Sequence, residues 1–504
     1  MSDNVCVFGQ EEITWQQIAF VACSNHTLSL TDDVWASMHV SRAIVDEIVQ
    51  TEKKTYGVNT GLGALSDVSL THEELAKLSY NTLLSHACGV GPLLSIEQVR
   101  AIMCAAVANF SHGKSGISPE IVNQLICFLN SRITPCVPSN GSVGYLTHMA
   151  HIGLSLLGIG DVFFEGKVEP AAQVLSDLGM EPISLGAKDG LSLVNGTPCM
   201  TGLTALALAD AQVLFDWADG IAAMTFEALA GQIDAFDPEV LQLKRSDSVI
   251  EVGQHLRFLL EGSPRIKDHH GCRTQDALSL RSIPQVHGSC RDMWKHAEKL
   301  VNGELNSATD NPLILGTKEH WRVVSQSNPH GESVAMAADS LAIALCEMGT
   351  ISERRADRMI NPLVSGLPAF LVSKPGVNSG MMIAQYTAAS LCADNKMLAQ
   401  PAVLDNFVTS ALQEDHLSMG TRSAVKLQQV LINARQILAI EYLFASQAFD
   451  LIGTDKLATG TLTLWRQLRQ SISSWDEDRW MAPDLALASQ NLTIRCDLFS
   501  CMDN

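Results

Sequence analysis

Apolar and polar positions along this chain fall into two textures. Up to about residue 200 the apolar runs are short and interrupted by glycine- and serine-bearing connections, among them Tyr56 to Ala64, with three glycines, and Asn140 to Gly144. From about Leu203 the runs lengthen and become rich in Ala, Leu and Met, as in Met200 to Phe236, Val334 to Ile360, Met381 to Leu398 and Val425 to Leu451. That texture predicts long helices. Strand signals are sparse, and only Val162 to Val168 and Trp321 to Val324 predict short hairpin strands. The expected class is therefore mainly α, with a long central helical bundle and a smaller mixed N-terminal region. A soft border near residue 200 separates 1–200, which holds the glycine-rich loops, from 201–504, the central bundle and C-terminal helices. No repeat of fixed period and no low-complexity linker is present.

Composition narrows the function classes. At 504 residues, 46% hydrophobic and only 17% charged, the chain can bury a large core or extensive subunit surfaces. A net charge of −20 disfavours nucleic acid and anionic membranes as partners. Thirteen cysteines, an odd number without any CxxC pair, point to reduced thiols rather than a disulfide framework or zinc ribbon. The start, Met1 to Glu12, has no basic segment followed by an apolar run, so a cytoplasmic location is expected. Four aspartates interrupt the apolar stretch Met200 to Phe236, which argues for a buried helix over a membrane span.

Chemistry-bearing residues cluster in a few segments. These are Tyr56-Gly-Val-Asn-Thr-Gly-Leu-Gly63, Leu84-Ser-His-Ala-Cys-Gly-Val-Gly91, Leu193-Val-Asn-Gly-Thr197, Gln275 to Gln285, Asn306-Ser-Ala-Thr-Asp-Asn-Pro312, Ile351-Ser-Glu-Arg-Arg355 and Gln413-Glu-Asp-His-Leu-Ser-Met-Gly420. A tyrosine in a glycine-rich loop can serve as a base if its pKa is lowered, and the glycines allow the loop to close. An arginine suits bidentate carboxylate binding. Asp268-His269-His270-Gly271-Cys272 has no standard metal spacing, and no metal is expected.

Taken in order, the segments resemble the histidine ammonia-lyase family over nearly the whole chain. The resemblance implies the aromatic amino acid lyase fold, a homotetramer with sites built from several subunits, and a small-molecule substrate. It implies that Tyr56 is the base or proton relay at the substrate β-carbon and that Arg281 grips the carboxylate. Asn195 and Gln275 would surround the substrate, and Met382 would line its pocket. His86 and Glu414 match the histidine-specific branch, where a carboxylate facing a ring N–H selects imidazole-like rings. Lys396 is a weaker candidate, as a partner of Glu414 or of the substrate.

One departure changes the chemistry that the resemblance implies. The family makes its electrophile, a methylidene-imidazolone ring, from Ala-Ser-Gly, following Gly-Ser-Val-Gly; here Gly144 runs directly into Tyr145-Leu146. A gapless alignment would centre the ring on Val143, which has no hydroxyl to eliminate. Centring it on Ser142 would make the β-branched Val143 supply the attacking amide, a poor fit to so tight a closure. Leu278, Pro329 and the segment Thr147 to His151 also depart from the family pattern. Without the ring, an ordinary ammonium loses an N–H proton before any β-proton, whereas a trimethylammonium group has no N–H to lose. The ergothionase branch follows that logic, so the expected reaction is loss of trimethylamine from ergothioneine to give trans-thiourocanate, with no cofactor. The alternatives are deamination of histidine or reaction of its betaine hercynine, and a catalytically inactive binding relative.

Overall fold

A computed structural model describes residues 4–51, 55, 57–60 and 72–495. The chain forms two compact units, each discontinuous in sequence: 1–209 with 297–339 and 401–425, and 210–296 with 340–400 and 426–504.

The first unit is organised around the helix Ile96–Ser111, whose residues from Val99 onward are all buried. Ser95 starts it with a reciprocal cap shared with Gln98, so two end amides are satisfied before the apolar run begins. A helix apolar on every side must be enclosed. Its one cation, Arg100, is buried and donates to Val21 O at 2.6 Å, Ala22 O at 3.0 Å and Leu129 O at 2.8 Å. These carbonyls belong to the last turns of Trp15–Cys23 and Pro119–Asn130, where the helix dipole favours positive charge. The first turns of Pro198–Ala228 lie directly on this core helix. A Cβ on Gly202 would come 2.5 Å from Ala101 O.

Both hairpin expectations hold. Asp161–Phe164 pairs antiparallel with Lys167–Pro170 through Glu165 and Gly166, both at positive φ, and Trp321–Val324 pairs with Leu313–Gly316. Thr134–Pro135 adds a third strand beside Asp161–Phe164, and two further short pairs, Val5–Phe8 with Thr27–Leu30 and Val90–Leu93 with Pro138–Asn140, complete the sparse sheet of the described residues in this unit.

The second unit is helical and encloses charge. Arg355 and Glu441, both with fully buried side chains, form a two-pronged pair at 2.6 and 2.9 Å. His287 donates from Nδ1 to Asp219 at 2.6 Å and accepts from Arg355 on Nε2 at 3.3 Å, which fixes its tautomer. Burial alone would raise the Asp219 pKa, but the Arg291 charge and the bonds from His255 and His287 outweigh it and hold the carboxyl below its usual range.

The expected long helices are Pro198–Ala228, Glu332–Ile360, Met382–Leu398 and Gly420–Ile452. The first ends well short of its apolar run. It stops at Ala228 because Ala230 takes φ 50° and Gly231 packs where a Cβ would be 2.4 Å from the Phe226 ring. The helical segments Asp189–Ala228 and Glu332–Ile360 each hold an apolar window long enough to cross a membrane by length and composition, and those windows are 78% and 67% buried within the protein.

Candidate active site

The segment that lacks the tripeptide is held tightly. After the strand Pro138–Asn140 the chain bends through Gly141 at φ 121° and enters the helix Thr147–Leu156 from Leu146, itself at φ 80°. Ser142 Oγ donates to Tyr145 O at 2.8 Å and accepts from Gly144 N at 3.2 Å, while Thr421 Oγ1 donates to Gly144 O at 2.9 Å. The hydroxyl of Ser142 is thus used by its own turn. The turn in turn aims Tyr145, whose hydroxyl donates to Glu414 Oε2 at 2.7 Å.

Glu414 is half-buried in the connection that precedes Gly420–Ile452, and its backbone bridges antiparallel to Thr409. Between the two, Ser410, Ala411 and Leu412 all adopt positive φ, which side chains other than glycine's resist. Strain concentrated beside a placed carboxylate is a recurrent mark of functional sites. Because Tyr145 occupies one carboxylate oxygen, the other is the acceptor available to a ligand N–H.

His86 ends the helix His72–His86 and is half-buried, with Nδ1 2.9 Å from Ser85 Oγ. Burial pushes its pKa down, so the ring is held neutral. The residues after it are pinned to the same turn region. Gly89 N donates to His151 Nε2 at 3.1 Å, and Val90 pairs with Asn140. Sequentially distant segments 86–91 and 138–151 therefore form one surface of the first unit.

Asn195 has a more structural placement than the sequence reading gave it. Its Nδ2 donates to Asp310 Oδ1 at 3.2 Å and Asn311 O at 2.8 Å, so only acceptor capacity remains for a ligand. Asp310 is a hub that sequence reasoning missed. Its Oδ2 receives Lys188 Nζ at 2.7 Å, Ser115 Oγ at 2.6 Å and Ser192 Oγ at 2.9 Å, all in the interior. Tyr145 was also missed as a site residue. Its position immediately after the absent tripeptide was the available signal.

Four other candidates lie in the second unit. With its amide oxygen toward the guanidinium, Gln275 accepts from Arg281 Nε at 2.9 Å. Arg281 is half-buried at the end of the Leu278–Arg281 turn, and Leu278 beside it is 64% exposed. Met382 and Lys396 sit near opposite ends of the 17-residue helix Met382–Leu398, roughly 21 Å apart along its axis. One small ligand cannot touch both in a single chain. Tyr56 lies outside the described residues. In the Asp268 to Cys272 cluster, His270 faces Asp234 at 3.2 Å, His269 Nδ1 contacts Arg265 O at 2.9 Å, and Asp268 pairs with Lys456 at 2.9 Å.

Comparison with known proteins gives a consistent result. The profile of the family described as aromatic amino acid lyase matches residues 13–470. Histidine ammonia-lyase of Symbiobacterium thermophilum is 42% identical over 476 residues, covering 94% of each chain. The crystal structure of histidine ammonia-lyase from Trypanosoma cruzi superposes with a TM-score of 0.90 at 36% identity, covering 99% of this chain and 95% of that one. The ergothioneine-degrading enzyme ergothionase from Treponema denticola superposes with a TM-score of 0.90 at 28% identity, covering 97% and 98%.

Proposed function

Because the chain belongs to the aromatic amino acid lyase family, we propose that it is a carbon–nitrogen lyase that eliminates trimethylamine from an imidazole betaine, with ergothioneine as substrate and trans-thiourocanate as product. The observation that carries this reading is the run Gly144-Tyr145-Leu146, in which the electrophile-forming tripeptide is replaced by a tyrosine hydrogen-bonded to Glu414.

The reaction follows from that change. Tyr56 takes the β-proton, the C–N bond electrons leave with nitrogen as neutral trimethylamine, and a carbon–carbon double bond forms. A leaving group that is cationic and has no N–H needs no covalent activation. Arg281, cradled by the neutral Gln275 amide, binds the carboxylate. Glu414 accepts a ring N–H on the oxygen that Tyr145 does not use, His86 contacts the substrate as a neutral ring, and Lys396 stabilises the charge that develops on the substrate ring. Met382 and Lys396 then act in different sites, each supplied by a different copy of the chain in a homotetramer.

A second reading, deamination of histidine, is favoured by histidine ammonia-lyases that are 40–43% identical to this chain. Incubating the protein separately with histidine, hercynine and ergothioneine, and assaying ammonia and trimethylamine, separates the two. Trimethylamine from ergothioneine is the expected result. Ammonia and urocanate from histidine, with a protein mass lower than the sequence mass by two waters, would replace this reading by the second.

A further inference from the structure

We propose that His330, Glu332 and His416 form a binding site for a divalent transition-metal ion of the zinc type. All three belong to the first unit: His330 and Glu332 lie at the start of the Glu332–Ile360 helix, and His416 follows Glu414 by two residues. His330 Nε2 and His416 Nδ1 are 3.1 Å apart, with the two rings tilted by 31°. Two imidazole nitrogens on one tetrahedral zinc, each at about 2.0–2.1 Å, stand about 3.3 Å apart, so a small outward shift of either ring admits the ion.

A hydrogen bond between the two imidazoles accounts for that distance equally well, and the carboxylate decides between the two accounts. Glu332 Oε2 is buried and accepts no hydrogen bond among the described residues. It lies 3.9 Å from His330 Nδ1, and one ligand atom from each of the three residues falls within 4.8 Å of the others. A histidine–histidine bond leaves that oxygen unsatisfied, which is costly. A cation satisfies all three donors at once.

Two imidazoles and one carboxylate suit Zn²⁺, Co²⁺ or Ni²⁺ better than the hard cations Mg²⁺ and Ca²⁺, which prefer all-oxygen shells. Three protein ligands leave a fourth position for water. His416 is exposed and His330 partly so, which gives the ion a route in from solvent. The bound ion would clip the start of the 332–360 helix to the connection that carries Glu414. It acts there as a positioning element, and the proposal does not depend on which amine the enzyme expels.

The test uses chelator-treated full-length protein titrated with Co²⁺ by absorbance and with Zn²⁺ by calorimetry. The expected result is one ion per chain, with cobalt d–d bands and no thiolate-to-cobalt charge-transfer band, and no comparable binding of Mg²⁺. The charge-transfer check matters because Cys23, Cys88 and Cys272 are exposed. His416→Ala and Glu332→Gln, each verified as folded by circular dichroism, should weaken Zn²⁺ binding by about 10- to 100-fold or more. Failure of the wild type to bind either ion, a thiolate signature, or unchanged affinity in His416→Ala would overturn the site.

Discussion

At the scale of single residues, the contact that most separates this chain from what its relatives' motifs imply is Tyr145 to Glu414. A hydroxyl donated to a carboxylate is a charge-assisted bond worth about 1.5–3 kcal/mol. Tyr145→Phe should therefore lower kcat/KM on the substrate by about 10- to 100-fold while lowering the melting temperature only modestly, since Tyr145 is only partly buried and water can take its place as donor to Glu414. Steady-state kinetics with a thermal melt reads both. His148 makes a pH prediction. Its Nε2 donates to Ser139 O at 3.2 Å and its Nδ1 is buried without a partner, so burial lowers its pKa to about 4 despite the bond to Ser139. The folded pKa lies below the unfolded value of about 6.5, so the unfolded chain binds the extra proton first. Stability from this residue is full above pH 6.5 and declines as pH falls toward 4, by about 3 kcal/mol in all. Urea midpoints measured from pH 7 to pH 4 should fall more steeply for the wild type than for His148→Gln. Parallel curves would remove His148 from the account.

At the scale of elements, local rules explain most boundaries, and close packing explains the exceptions. Ser95 with Gln98, Ser118 before Pro119, and the Glu165-Gly166 turn each stand where chain chemistry predicts an end. Gly202 is different. Alanine is the better helix former by about 1 kcal/mol, so propensity alone predicts that Gly202→Ala stabilises the Pro198–Ala228 helix. The Ala101 carbonyl 2.5 Å from the added Cβ is backbone and cannot rotate away. We expect destabilisation by about 1–3 kcal/mol, read as a lower urea midpoint, with the sign itself deciding between propensity and packing.

At the scale of the whole molecule, the chain passes through each compact unit three times, so each core is assembled from segments remote in sequence. The Arg355–Glu441 pair in the second unit joins the 332–360 and 420–452 helices. Glu441→Gln should cost about 3–5 kcal/mol because it leaves a buried guanidinium without its counter-charge, whereas Arg355→Met with Glu441→Leu should recover most of that loss. Chemical denaturation of the wild type and both variants measures it. If the single and double variants are equally unstable, shape rather than charge holds this core.

The mainly helical class, the two hairpins, the ends of three long helices and the missing tripeptide were all legible along the chain. Each depends on residues within a few positions of one another or on the identity of the residues themselves. Only the tertiary structure decided that Tyr145 meets Glu414 across 269 positions, that His330 meets His416 across 86, and that Asp310 takes up the Asn195 amide. It also ended the apolar run Met200 to Phe236 at Ala228, where a turn at Ala230 and Gly231 breaks the helix. Periodicity reports which face of an element is apolar; it carries no record of which distant segment will cover that face or which polar group will satisfy a buried partner. Those pairings arise from packing and desolvation acting on the whole chain at once.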